Sequence, residues 1–415
     1  MTTLSVVIPA YNEEKGIETI VRRVLNIKKS LLEVGIEQLE VLVVNDGSKD
    51  RTAEIVRNIE GVRLITYSAN QGYGAALKNG FNQASGELIG FLDADGTYPP
   101  EYFPQLCQKA LDGSDLVVGS RMAGAESKMP VTRRVGNLFF AFLLSLVSRQ
   151  HVTDSASGMR VFRREILEQV YPLPNGLNMT PVMSTRAIHE GIHIVEVPIP
   201  YSERLGRSKL NVVQDGSIFL QSILWTALAY NPVRILGLIG LGGMAVGLIA
   251  LAGLTYARLR GITVLHPWEI ASLFWGAVSG VTGISIFALG STFNYLVSLF
   301  YKKPIQQGLF GHPIFKPSLD RYFGWLGTGS FVAGLAIGLA SVTLGINGWD
   351  MSRLWLYLLG SAMLILMGVQ LIIYWILMRV LENLSQRELL TKQDFGIRFG
   401  SKDFIDTAQT QVNAE

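Results

Sequence analysis

Four apolar stretches in the second half of the chain, roughly 233–256, 272–300, 324–346 and 355–378, restrict its possible folds more than any other feature. Each is long enough to cross a hydrocarbon core of ~30 Å, which takes about 20 helical residues. Inside lipid a backbone must satisfy its own hydrogen bonds, so a stretch of this kind is expected to be a helix. The expectation is an all-α transmembrane domain of four helices over residues 233–380, in a multi-pass integral membrane protein. Trp268, Trp325 and Trp355 lie near the ends of these stretches, as interfacial aromatics do. Four crossings return the chain to its starting side. The loop with Lys302, Lys303, Lys316 and Arg321 would then face the cytosol, and Arg258, Arg260 and Arg353 the far side. The second stretch is the longest and has room to tilt.

The first half has a different composition. Residues 1–210 read as an ordinary globular mix, 211–232 as a juxtamembrane interfacial helix, and 381–415 as a polar C-terminal tail expected to be disordered. A length of 415 residues also favours more than one unit. The net charge is only +3, which gives no reason to expect a nucleic-acid partner. A lone cysteine, Cys107, excludes an internal disulfide and a cysteine-based metal site. The N-terminus runs from Met1-Thr2-Thr3-Leu4 directly into a strand, with no basic segment before an apolar one. No cleaved signal peptide is expected, so the soluble half should remain in the cytosol.

Within that half, strand, loop and helix alternate. Leu4–Ile8, Leu39–Val44, Arg63–Thr66, Leu88–Leu92 and Leu116–Gly119 read as strands, the first ended by Pro9. Such alternation predicts an α/β domain with a mostly parallel, Rossmann-like sheet, whose ligands bind beyond the carboxyl ends of the strands. The polar residues fall at those ends: Tyr11 and Glu13, Asp46, the Asn70-Gln71-Gly72-Tyr73-Gly74 loop, Asp93 with Asp95, and Arg121. Asp93 and Asp95 follow an apolar strand at i and i+2, so on extended backbone both carboxylates point the same way. Such a pair is either an acidic turn or a holder for a hard divalent cation that completes its shell with substrate phosphates. The glycine loop lacks the Gly-x-Gly-x-x-Gly spacing and follows the third strand, which excludes a nicotinamide or flavin site. The histidines show no convincing ligand spacing.

As an ordered set, these motifs resemble family 2 glycosyltransferases of the GT-A fold, most closely the dolichyl-phosphate mannose synthase-like group. The matching segments are Val6–Glu14, Val43–Ser48, Asn70–Gly80, Leu92–Asp95, Gly119–Arg121, Asp154–Gly158, and Ser202–Arg204 through Ser208–Leu210. The resemblance implies an inverting transfer of a hexose from a nucleotide diphosphate sugar to a polyprenyl phosphate, undecaprenyl or dolichyl, at the cytosolic membrane face. It implies that Pro9, Tyr11 and Glu13 line the nucleotide pocket and that Asp46 contacts the base. It implies Mg²⁺ or Mn²⁺ on Asp93 and Asp95, and Arg121 with Arg133 or Arg134 facing the acceptor phosphate. Arg204, Ser208 and Lys209 would close over the donor phosphates. One position departs from the pattern: Thr97 stands where the group often has a metal-binding Gln. Gln-x-x-Arg-Trp, carried by processive polysaccharide synthases of the family, does not occur.

Asp154 is the candidate base, and an acid in a Ser-rich loop is equally a turn or cap residue. A phosphate acceptor, with a second pKa near ~6, is largely ionised at neutral pH and needs positioning more than deprotonation. An acceptor hydroxyl, as in a ceramide or diacylglycerol, would require the base. A third reading is a transporter or scaffold with a sugar-nucleotide-sensing domain; it calls for intramembrane charges, and the four stretches are nearly free of them. Val135–Val147 is apolar, too short to span and flanked by Arg133, Arg134 and Arg149. It reads as a helix in the headgroup layer or as a core helix of the soluble domain. Ile218–Tyr230 has the same character. Membrane lipids are thus expected partners, and a homo-oligomer is left open.

Overall fold

The computed structural model describes residues 2–122, 129–147, 152–202, 212–260, 266–301, 319–349 and 351–394. The chain divides into two compact units, Met1–Tyr230 and Asn231–Glu415.

Among the described residues the first unit is built on a seven-stranded sheet, ordered β3-β2-β1-β4-β6-β5-β7. The strands are β1 (Thr3–Ala10), β2 (Gln38–Asp46), β3 (Val62–Tyr67), β4 (Leu88–Phe91), β5 (Leu116–Ser120), β6 (Arg160–Arg163) and β7 (Ile194–Pro198). The helices are α1 (Ile17–Asn26), α2 (Lys28–Glu33), α3 (Thr52–Arg57), α4 (Tyr73–Gln83), α5 (Phe103–Leu111), α6 (Val131–Val147), α7 (Leu167–Val170), α8 (Met179–His189) and α9 (Val212–Tyr230). Successive side chains on a strand face opposite ways, so the sheet needs two cores. Val6, Ile8, Val41 and Val43 pack with Ile20, Val24 and Leu106 on one face. Val7, Leu42 and Val44 pack with Leu77, Phe81 and Met183 on the other. Burial on both faces is why the central strands read as unbroken apolar runs.

Besides β7, an edge strand beside β5 that the sequence reading did not contain, two features depart from the strands read in the sequence. Pro9 does not end β1: it pairs with Val44, and the strand continues through Ala10. The β1–β4 pairing stops at Val7↔Phe91. Pro9 has the parity of Val7, whose carbonyl faces β4, so its missing N–H costs no ladder bond. The second feature is β6, which runs antiparallel between β4 and β5. A reversed strand begins where its neighbours end. The segment entering β6, residues 152–159, is therefore delivered to the carboxyl ends of β4 and β5.

The second unit holds, among the described residues, α10 (Pro232–Leu259), α11 (Pro267–Tyr301), α12 (Phe323–Ile346) and α13 (Met351–Asp394). All four are long and apolar enough to cross a membrane. Glycines let the backbones approach closely, as small residues do in membrane helix pairs. A Cβ on Gly243 would lie 2.7 Å from the Ser279 carbonyl oxygen, and one on Gly283 would lie 2.6 Å from that of Gly240. Between α12 and α13, a Cβ on Gly368 would lie 2.6 Å from the Phe331 nitrogen. The Ser361 hydroxyl donates to the Gly334 carbonyl at 2.8 Å, and Ser285 of α11 is bonded to Gln370 of α13. Helix α13 continues to Asp394, past the point where the polar tail was expected to begin. Residues 381–394 contain neither Gly nor Pro, so nothing in them stops a helix. Lys302, Lys303 and Lys316 lie outside the described residues.

Candidate active site

A cavity of about 750 Å³ opens at the carboxyl ends of the strands in the first unit. Its polar wall carries Pro9, Tyr11, Glu13, Asp46, Asp93, Asp95 and Arg121, all of them expected from the sequence. The cavity is also lined by Gly136, Asn137 and Phe140 of α6 and by Asp215, Gly216, Ile218 and Phe219 of α9. The Phe140 and Phe219 rings meet edge to face, with centroids 6.0 Å apart.

The loops after β1 and β2 brace one another. Asn12, at a positive φ of 51°, takes the Lys49 N–H on its side-chain oxygen at 2.8 Å, while its own N–H donates to the Ser48 hydroxyl at 2.9 Å. The Glu13 N–H donates to the Thr52 hydroxyl at 2.9 Å. Asp46 accepts the N–H groups of Gln71 and Gly72, both at 2.8 Å. The carboxylate expected to contact a base therefore also anchors the glycine loop. Gly72 has φ +106°, and a Cβ there would lie 2.5 Å from the Asn175 carbonyl oxygen. Only glycine fits that position.

The acidic pair is held from several sides. The Tyr73 hydroxyl donates to Asp93 Oδ1 at 2.7 Å. Gly158 packs against the same carboxylate, where a Cβ would fall 2.3 Å from Asp93 Oδ2. Asp95 Oδ1 accepts both the hydroxyl of Thr97, at 2.6 Å, and its N–H, at 3.1 Å. Burial and the adjacent Asp93 charge push the Tyr73 hydroxyl well above its ordinary pKa, so it stays a donor. The pair lies past the end of β4, where the chain leaves the extended backbone expected from the sequence and turns at Ala94–Asp95; two carboxylates are hard oxygen donors that suit Mg²⁺ or Mn²⁺. Among the described residues no cluster of three or more potential metal-binding side chains forms. Substrate oxygens and water would therefore complete a cation's shell.

Arg121 is fixed by Asp154. Its Nε and backbone N–H donate to Oδ2 at 2.7 and 3.0 Å, and Nη2 donates to Oδ1 at 2.7 Å. Asp154 is fully buried, while the Arg121 side chain keeps 12% exposure. The guanidinium also lies over the rings of Tyr98 and Tyr201, 5.8 and 5.5 Å from their centroids. Burial alone would lower the Arg121 pKa, but Asp154 outweighs it and holds the group well above its usual value. In the same way burial opposes ionisation of Asp154, yet Arg121 holds its carboxyl below the ordinary range. Both members are charged, and both Asp154 oxygens are engaged. Glu196 of β7 secures the loop behind them, taking the N–H groups of Thr153 and Asp154 at 2.8 and 3.0 Å. Arg160, wholly buried in β6, donates to the carbonyls of Ser157 and Ser155 at 3.1 and 2.8 Å. Burial pulls its pKa down to about 10, against the Asp154 charge.

Not every expected residue joins the cavity. Arg134 is exposed in the first turn of α6 and is absent from the cavity wall. The Arg133 side chain lies outside the described residues, as do Arg204, Ser208 and Lys209. Sequence reading missed Tyr73 although it quoted the loop that holds it. It also missed Tyr98, Tyr201, Arg160 and Glu196, whose parts depend on the reversed strand and leave no local signature.

An arginine held by a buried carboxylate and two further carboxylates thus share one cavity. Residues 5–171 match the model of Glycosyl transferase family 2, and residues 232–392 match a Domain of unknown function (DUF8752). A dolichyl-phosphate hexose transferase from Haloferax volcanii is 36% identical over 53% of this chain and 92% of its own length. An undecaprenyl-phosphate 4-deoxy-4-formamido-L-arabinose transferase from Photorhabdus laumondii is 30% identical over 69% of this chain and 82% of its own. A glucosyl-3-phosphoglycerate synthase structure from Mycobacterium tuberculosis, with Mn²⁺, uridine-diphosphate and phosphoglyceric acid, covers 55% of this chain and 78% of that one at 21% identity (TM-score 0.43). The chain belongs to glycosyl transferase family 2, and it is a glycosyltransferase.

Proposed function

We propose that this chain transfers a hexose, with inversion, from a nucleotide diphosphate sugar to a polyprenyl phosphate at the cytosolic face of a membrane. The observation that carries the reading is the single cavity holding Asp93, Asp95 and the Asp154-anchored Arg121. The relatives, a dolichyl-phosphate hexose transferase and an undecaprenyl-phosphate sugar transferase, support the acceptor class. One acceptor phosphate oxygen forms the new bond to the anomeric carbon. The bond from that carbon to the donor diphosphate breaks, and the nucleoside diphosphate leaves with the electron pair. A divalent cation on Asp93 and Asp95 would neutralise charge on the departing diphosphate. Arg121 holds the acceptor phosphate by fixed charge, with no reorganisation at the moment of reaction. No base is required, because the phosphate arrives ionised.

The lipid end of the acceptor meets the wall from α6 and α9. Leu138, Phe139 and Phe142 of α6 and Trp225 of α9 are exposed, with Phe142 at 66%. On the same helices Ala141, Leu144, Ile223 and Ala227 are buried. A helix apolar on both sides packs inward with one face and rests the other on lipid. The test supplies purified full-length protein with Mg²⁺, undecaprenyl phosphate and a panel of labelled UDP- and GDP-sugars. Label extractable with the lipid phosphate is expected. Transfer to ceramide or diacylglycerol, with undecaprenyl phosphate inert, would overturn the assignment.

A further inference from the structure

We propose that the hydroxyls of Tyr73 and Thr97 are paired positioning groups, each holding one carboxylate of the acidic pair in the orientation that receives a cation. The proposal rests on the metal-diphosphate reading above and concerns how this chain builds that site. Each carboxylate has its own hydroxyl donor: Tyr73 at 2.7 Å from Asp93 Oδ1, and Thr97 at 2.6 Å from Asp95 Oδ1. The two are placed independently. Tyr73 opens α4, directly after the glycine loop that Asp46 grips, and the Ala75 N–H donates to the Asn175 carbonyl at 3.1 Å. Thr97 lies two residues past Asp95 and closes a tight turn on it with hydroxyl and N–H together.

Thr97 is only 1% exposed, and its hydroxyl proton is given to Asp95. It acts through the carboxylate, not as a ligand. Asp93 lies close to Gly158, where an added Cβ would fall 2.3 Å from Oδ2, and Tyr73 holds Oδ1. Among the described residues no third potential ligand clusters with the pair, so a rotation of either carboxylate loses a ligand. Partners behind metal ligands typically matter about 10- to 100-fold for affinity.

The test measures Mn²⁺ uptake by the full-length protein in the presence of UDP, read from the electron paramagnetic resonance of free Mn²⁺. Tyr73→Phe and Thr97→Val should each weaken Mn²⁺ binding about tenfold or more. Thr97→Ser, which keeps the hydroxyl, should stay within about threefold of the wild type. If the wild type takes up no Mn²⁺ with UDP, the metal-diphosphate reading fails and takes this proposal with it. If the wild type binds while Tyr73→Phe and Thr97→Val bind equally well, the metal reading stands and the positioning role is overturned. Thr97→Ser as weak as Thr97→Val would show that shape at residue 97 matters and its hydroxyl does not.

Discussion

Replacing Asp154 by asparagine separates two roles that a carboxylate near a reacting centre can have. In the structure Asp154 takes three hydrogen bonds from Arg121, spread over both oxygens. Asparagine keeps one oxygen, so one edge of the guanidinium would face an NH₂ group that can only donate. A hydrogen bond to a charged group contributes about 1.5–3 kcal/mol, and 1.4 kcal/mol is about a factor of ten. The expected result is an acceptor KM raised between about tenfold and about a hundredfold, with turnover largely recovered at saturating polyprenyl phosphate. Affinity for the donor nucleotide should not change, because Asp154 lies behind Arg121 and outside the cavity wall. The assay is steady-state transfer with the lipid phosphate varied, alongside nucleotide binding on the same preparation. A variant with the wild-type acceptor KM and turnover reduced more than about a thousandfold would refute the anchoring role and make Asp154 a base.

Asp95→Asn should abolish transfer in a protein that melts like the wild type, and a chelator should do the same to the wild type; unchanged turnover in either case removes the metal role. Gly158→Ala places a methyl group 2.3 Å from Asp93 Oδ2, so at least a tenfold loss of kcat/KM is expected, and wild-type kinetics would contradict the packing described. The depressed Asp154 carboxyl favours the folded state above its ordinary value of 3.8, and that contribution disappears as pH falls through the lowered folded value. The melting gap between the wild type and Asp154→Asn should therefore stay constant from about pH 7 to about pH 4 and narrow only below that; a gap that narrows already near neutral pH would be inconsistent with the pair. In α10, Gly243→Leu puts a side chain onto the Ser279 carbonyl and should cost about 1–3 kcal/mol of stability in bicelles, while Gly242→Leu, with nothing within 4 Å, should cost little. Equal effects would argue against the close helix pairing.

Much of this arrangement could be read directly. Leu39–Val44 announces a strand because both its faces are buried, and the four long apolar runs announce helices because lipid permits little else. The cavity residues Pro9, Tyr11, Glu13 and Asp46 were legible because each lies at or just beyond the carboxyl end of such a strand. What could not be read depends on a strand that looks unlike one. Arg160-Val161-Phe162-Arg163 has a charge at each end and only two apolar residues, and becomes a strand because β4 and β5 flank it. Glu196 sits in an edge strand ending at Pro198, and its role appears only when the chain brings Thr153 beside it. Asp154 was left between a base and a turn residue, since sequence alone gives no sign of Arg121 folding back onto it. The extent of α13 was underestimated for a simpler reason: polarity was taken to end a helix, although polar residues of good propensity prolong one.

Because β6 reverses direction, everything between Ser120 and Arg160 is a single excursion that leaves the sheet beside the cavity and returns beside it. Its two ends are pinned together where Arg121 meets Asp154, and α6 lies between them. A detour closed by an ionic clasp can change length and composition without disturbing the strands on either side. On the proposed reading, in which α6 meets the acceptor and β1 to β4 the donor, acceptor preference can evolve as a cassette while the donor side stays as it is.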